Sequence, residues 1–210
     1  MEKGTFITFE GIDGCGKSTQ IAMLEEYLSS KGEQVVKVRE PGGTVVGEKI
    51  REILLSKKND SMTPMAELLL FVAARAQITE EVIKPAIGAG KTVICDRFFD
   101  STFAYQGYAR DMGTDRVMDI NLAATGGLTP DITFVLDLTP EQAFARRNER
   151  DGGAEDRMEA LGLSFQEKVR EGYLLAAKKY NRIRLIDASG TKEQIASDIR
   201  EAVEKIRRGS

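Results

Sequence analysis

Eight consecutive residues, Gly11-Ile12-Asp13-Gly14-Cys15-Gly16-Lys17-Ser18, have the types and spacing needed to hold the phosphates of a nucleotide. Lys17 supplies a mobile point charge for the β- and γ-phosphates, and the Ser18 hydroxyl a hard oxygen for the Mg²⁺ that bridges them. Gly11, Gly14 and Gly16 let the backbone turn successive N–H groups, those of Ile12, Asp13 and Cys15 among them, around an anion. Such a loop works only between a strand and the N-terminus of a helix, whose dipole adds to the field. The sequence meets that condition. Thr5–Phe9 is β-branched and aromatic throughout, and a helix is predicted from about Lys17, through Thr19, with Ile21, Leu24 and Leu28 on its inner stripe. The loop points to nucleotide phosphates but does not choose a reaction.

Other candidate residues follow predicted strands. Val35–Arg39 is a short strand that stops at Glu40-Pro41-Gly42-Gly43-Thr44, a turn placed where doubly wound sheets bind ligands. Thr92–Asp96 reads as a buried parallel strand ending in an acid, and Asp96 would hold Mg²⁺ if this strand neighbours the first. Arg97 comes next, then a run of aromatic and hydroxyl residues including Ser101, Thr102, Tyr105 and Gln106, which suits a planar polar ring. Phe71 and Arg75 stand four apart on one predicted helix face. On spacing alone, core packing is the favoured reading of Phe71.

The elements that must position these groups alternate strand and helix along the chain. Helices are predicted at 45–55, at 64–89 with a kink or division at Pro85, at 115–125, from Pro140, at 164–180 and at the C-terminus, with further strands at 132–137 and 183–186. Between 146 and 157, four arginines (Arg146, Arg147, Arg150 and Arg157) alternate with acids around Gly152-Gly153. Most charge runs are solvated faces, but a Gly-hinged arginine segment also suits a lid over a phosphate donor. The phosphate loop carries no cation at its variable positions, so an arginine from elsewhere is wanted, and 147–157 is the expected lid.

Composition narrows the chemistry. With no histidine among 210 residues, Ser-His-Asp catalysis and His-liganded zinc are excluded. Lysine, arginine, carboxylates and metal remain, which is the inventory of phosphoryl transfer. A net charge of −3 argues against a nucleic-acid surface, and Cys15 and Cys95 make no disulfide framework. One domain over residues 1–210 is expected, with no membrane span and a cytoplasmic location. Cys15, among inward-facing amides, is expected to have a lowered pKa. A GTP-dependent switch is the reading from another class, and the lack of an Asn-Lys-x-Asp guanine-reading motif counts against it. Another small-molecule kinase of the same fold is the nearer alternative.

Four stretches, FEGIDGCGKS at 9–18, REPGGT at 39–44, FVAAR at 71–75 and DRFFDSTFAYQG at 96–107, together resemble the bacterial thymidylate kinases. The resemblance covers nearly the whole chain. It implies an α/β P-loop NTPase three-layer sandwich, with a five-stranded parallel sheet in the order 2-3-1-4-5 and helices on both faces. It implies transfer of the γ-phosphate of ATP, with Mg²⁺, to dTMP on the way to dTTP, and a homodimer. It also assigns roles. Phe71 would stack on thymine, Arg75 would bond its carbonyl edge, and Asp13 would meet the 3′-hydroxyl side of the sugar. Arg97 would hold the acceptor phosphate near Lys17, while Ser101, Thr102 and Gln106 line the base pocket and Glu40 joins the substrate site. Tyr105 would pack under the deoxyribose. A neutral phosphate loop implies a catalytic arginine from the lid, Arg150 first and Arg147 second. Phe98 stands where many members have Tyr or His.

Overall fold

The computed structural model describes residues 4–151 and 156–208; the side chains of residues 149–151 and 159 lie outside the described set. In chain order the elements are β1 (Phe6–Glu10), α1 (Lys17–Ser30), β2 (Val35–Arg39), α2 (Val45–Leu55), α3 (Pro64–Ile78), α4 (Lys84–Gly88), β3 (Thr92–Asp96), α5 (Phe99–Thr102), α6 (Thr114–Thr125), β4 (Ile132–Asp137), α7 (Pro140–Asp151), α8 (Leu163–Lys179), β5 (Ile183–Asp187) and α9 (Lys192–Arg208). The strands form one parallel sheet in the order β2-β3-β1-β4-β5, as expected, with helices around it. β1 is buried along its whole length, so its residues must be apolar or internally paired, and Phe6, Ile7 and Phe9 join the core.

Register sets the site. Asp96 pairs with Phe9 on one side and Arg39 on the other, so the C-terminal ends of β1, β2 and β3 lie side by side. Strand order reverses at β1, with β3 on one flank and β4 on the other, and ligands of open α/β sheets bind outside such a switch point.

The stretch expected as a helix over 64–89 with a kink or division at Pro85 does divide, just before that proline. α3 ends at Ile78, Thr79–Ile83 forms a wider π-helical turn, and Lys84 donates its N–H to Thr79 O. Proline lacks an N–H, and its ring crowds the carbonyl four residues back, here that of Glu81, so the turn widens to accommodate it. A second π-helical stretch, Phe103–Ala109, carries the aromatic run that follows β3. Helix α8 packs against it so closely that a Cβ on Gly172 would lie 2.9 Å from the Ala104 Cα. The neighbouring Tyr173 is thereby carried into the site.

Candidate active site

The phosphate loop leads into α1 through Gly16, which adopts φ 100°, a conformation that favours glycine. At Gly14 (φ 90°) a Cβ would come within 2.2 Å of Ala143 O, so α7 can rest on the loop only because no side chain intervenes. Lys17 Nζ donates to Gly11 O (3.1 Å) and Ile12 O (3.2 Å) and lies 3.7 Å from an Asp13 carboxylate oxygen. With Ser18, Thr19 and Asp96 it lines a cavity of about 650 Å³.

A second cavity, of about 510 Å³, opens beside the first and is walled by Phe71, Thr102, Tyr105, Gln106, Pro41, Leu55 and Met158 among others. Asp13, Glu40, Arg51 and Arg97 belong to both walls. Two arginines therefore stand at the junction between a phosphate cradle and a pocket with an aromatic wall.

Arg97 is held on three sides. Its Nη2 donates to Asp13 Oδ1 (2.7 Å), its Nη1 to Ser101 Oγ (3.2 Å) and Tyr173 Oη (3.1 Å), and its guanidinium lies 5.6 Å above the Tyr105 ring. Its backbone has φ 70°, unusual for a residue with a side chain, while its N–H donates to Phe9 O. Strain of this kind persists only where the surroundings fix it, and it turns Arg97 back over the end of β1. Burial by itself would raise the Asp13 carboxyl; the Arg97, Lys17 and Arg147 charges overcome it and hold the group well below the usual carboxylate range.

Glu10 organises this cluster, and the motif reading missed it. Fully buried, it accepts Phe98 N–H (2.7 Å) and Ser101 N–H (3.2 Å) at one oxygen, and Ser101 Oγ–H (2.6 Å) and Tyr173 O–H (2.9 Å) at the other. Burial and the nearby Asp100 charge push its pKa up, against Arg97 and these hydrogen bonds. The available signal was an acid closing an otherwise apolar strand directly before Gly11. Tyr173 gave no signal, because at helical spacing it reads as core. Arg51 gave no signal either, since the spacing over 45–55 marks only a helix. Its side chain donates to Pro41 O (2.9 Å), and burial, with the like charge of Arg39 added, lowers its pKa.

Of the expected base-pocket residues, Phe71 is half-buried on the cavity wall, with Ser101, Thr102, Tyr105 and Gln106 around it. The core packing favoured on spacing holds only in part: Phe71 packs against the main core cluster and also lines the cavity. Arg75 lies behind that wall, 1% exposed, donating to Asn121 Oδ1 (2.6 Å), Thr102 Oγ1 (3.2 Å) and Phe98 O (3.0 Å). Its Nη2 also lies 2.6 Å from Glu40 Oε2. Burial raises the Glu40 carboxyl to about 7, with Arg75 opposing and Glu10 adding to the rise. The lowered pKa expected of Cys15 is overturned. Its thiol is 1% exposed, and burial raises it against the pull of Lys17.

On α7, Arg147 is buried beside a third cavity lined by Ile12, Asp13 and Phe144, with its guanidinium 5.2 Å from the Phe144 ring. Arg150 lies one turn further along α7, its side chain outside the described residues, as are residues 152–155 of the expected lid. Asp96 Oδ1 is buried without a hydrogen-bond partner, in the cavity wall that also holds Ser18.

A phosphate loop at a switch point, opening onto a second cavity through shared arginines, defines a P-loop phosphotransferase with a separate acceptor site. The thymidylate kinase family model matches residues 9–199. The chain is 49% identical over 204 residues to a thymidylate kinase of Thermoanaerobacter sp. (strain X514), covering 97% of this chain and 98% of that one. It is 48% identical over 209 residues to one from Caldanaerobacter subterraneus subsp. tengcongensis (99% of each) and 50% identical over 213 residues to one from Prosthecochloris aestuarii (98% and 95%). The chain belongs to the thymidylate kinase family, and so to the nucleoside monophosphate kinases.

Proposed function

We propose that this chain transfers the γ-phosphate of ATP to the phosphate of dTMP, giving dTDP and ADP. The observation that carries the reading is the shared wall: Arg97, Arg51 and Asp13 line both the phosphate cradle and the aromatic pocket. A monophosphate whose base lies between Phe71 and Gln106 would present its phosphate to Arg97 and Arg51, facing Lys17. Asp13, kept ionised and fixed on Arg97, would accept from the sugar hydroxyl. Tyr105, whose ring packs under Arg97 and whose buried hydroxyl lacks a partner, would floor the sugar. Arg75 would act on the carbonyl edge of the base from behind Thr102.

Little covalent chemistry is needed, because the acceptor phosphate is itself the nucleophile and the task is positioning and charge neutralisation. Lys17 and the loop amides would hold the donor phosphates. Ser18 and Asp96 fit Mg²⁺: both offer hard oxygens in one wall, and Asp96 Oδ1 is otherwise buried and unpaired. When bound, the ion would neutralise donor phosphate charge. The segment 147–157 would close as a lid within a single functional unit, with Arg150, or Arg147 already near Asp13, covering the donor and excluding water.

A homodimer is the proposed assembly, and exposed Val45, Val46 and Ile53 on α2 with Leu69 on α3 supply an apolar surface for it. Cytoplasmic location is proposed on the free, buried Cys15 and Cys95. Among the described residues, no helix is long and apolar enough to cross a membrane.

The test is ADP release with Mg-ATP against dTMP, dUMP, dCMP, dGMP, AMP and UMP in parallel. Strong dependence on dTMP is expected. Equal release with another monophosphate would overturn the thymine assignment, and release without any acceptor would overturn the kinase reading.

A further inference from the structure

Glu67 forms no part of either cavity wall, yet it is fully buried and bonded to a residue that does. Its Oε1 accepts from Gln106 Nε2 (2.8 Å) and Arg110 Nε (2.7 Å). Its Oε2 accepts from Arg110 Nη2 (2.9 Å) and pairs with Arg157 Nη1 at 2.7 Å. A carboxylate between two guanidinium groups can only accept, whereas a glutamine amide has one donating end and one accepting end. Gln106 must therefore turn its NH₂ group to Glu67. Its carbonyl oxygen is the end left for the cavity it lines, and that oxygen has no hydrogen-bond partner among the described residues.

We infer that Glu67 decides which pyrimidine edge the acceptor cavity reads, by holding Gln106 with its amide oxygen presented to a ring N–H. The inference rests on the reading of the acceptor as a pyrimidine monophosphate. Thymine and uracil carry a hydrogen on N3; cytosine carries a lone pair at the same place. An amide oxygen facing that lone pair leaves two buried acceptors opposed, so cytosine is rejected by an unpaired group rather than by size.

The hold on Glu67 is itself well anchored. Arg157 donates from Nε to Leu54 O (2.7 Å) and from its backbone N–H to Leu55 O (3.2 Å), and the adjoining Asp156 and Met158 lie on the cavity wall. Glu67 is thus a positioning residue that ties the reader of the base to Arg157 and its neighbours on the cavity wall. It touches no substrate.

Glu67→Gln removes the acceptor-only constraint, since an amide can offer either end to Gln106. The double variant Glu67→Met with Arg110→Met removes one charge of each sign and keeps the balance of the buried cluster. For wild type and both variants, kcat/KM would be measured for dTMP, dCMP and dUMP with Mg-ATP, alongside a thermal unfolding curve. The dTMP to dCMP ratio is expected to fall about 10- to 100-fold, with the dTMP to dUMP ratio unchanged, because uracil keeps the N3 hydrogen. A folded double variant with an unchanged dTMP to dCMP ratio would overturn the inference. So would a parallel fall in both ratios, which marks a pocket that has merely loosened. A wild-type protein with no preference for dTMP would instead overturn the functional reading on which the inference rests.

Discussion

The two cavities that meet at Arg97 are built differently. On the acceptor side the charged groups and their carriers are held by protein partners, and the Tyr105 hydroxyl and the Gln106 amide oxygen are left for a ligand: Glu10 accepts four hydrogen bonds, Arg97 is fixed by Asp13, Ser101 and Tyr173, and the Gln106 NH₂ group is bound to Glu67. On the donor side, Lys17 rests on the loop carbonyls and Asp96 Oδ1 is buried without a partner. A site that must recognise one small acceptor gains from groups fixed in advance, since little ordering remains to be done on binding. A site that neutralises charge during transfer can take its final arrangement from the donor itself. Binding of the acceptor and turnover should therefore respond to different substitutions.

The largest expected effect tests that separation directly. Lys17→Ala removes the cation of the donor side and leaves the acceptor network intact, so kcat should fall on the order of 10²–10³-fold. The dissociation constant for dTMP, measured calorimetrically without ATP, should change little. Arg150→Ala is expected to show the same pattern. Unchanged turnover would strike out either role, and a matching loss of dTMP affinity would show the two sides to be one unit.

A smaller effect concerns the acceptor wall and appears in stability. The Glu40 carboxyl is raised from the usual 4.5 to about 7 by burial, so the folded protein holds a proton there that the unfolded chain releases. The stabilisation is complete below about pH 4.5 and is lost as pH rises through about 7. At about 1.4 kcal/mol for each pH unit, the difference corresponds to roughly 3 kcal/mol. Urea unfolding of wild type and Glu40→Gln from pH 5 to pH 8 should show wild type losing stability relative to the variant. Parallel curves would mean that Arg75 keeps Glu40 ionised throughout.

Much of this arrangement was legible in the sequence, for reasons that differ by residue. Parallel strands buried on both faces must be short and apolar, which marked β3 and β4, and the glycine spacing of the phosphate loop follows from backbone geometry alone. The sheet order and the placement of Asp96 beside the loop followed from the resemblance and the alternation of elements. Glu10, Tyr173 and Glu67 were not found, because each acts through partners far away in the chain, and Arg51 was not found because nothing in its own helix sets it apart. Glu10 and Tyr173 are 163 residues apart, and Glu67 meets Arg110 43 residues on. A short motif cannot encode such a pairing. The π-helical stretches were missed as well, since a widened turn leaves the apolar spacing almost unchanged.

The smallest expected effect concerns Cys15, the one donor-side group on which sequence and structure point in opposite directions. Its position among inward-facing amides suggested an activated thiolate. In the folded protein the thiol is buried, and the cost of placing a charge there outweighs the attraction of Lys17, so its pKa rises. Cys95 is buried too, with its pKa raised further, and donates its S–H to Arg97 O. Iodoacetamide at pH 7 should therefore label Cys15 slowly, no faster than a thiol exposed by unfolding, and Mg-ATP should give little protection. Rapid labelling blocked by Mg-ATP would mean that the loop opens to expose Cys15 when no donor is bound. That result would sharpen the contrast between a fixed acceptor side and a donor side completed by its ligand.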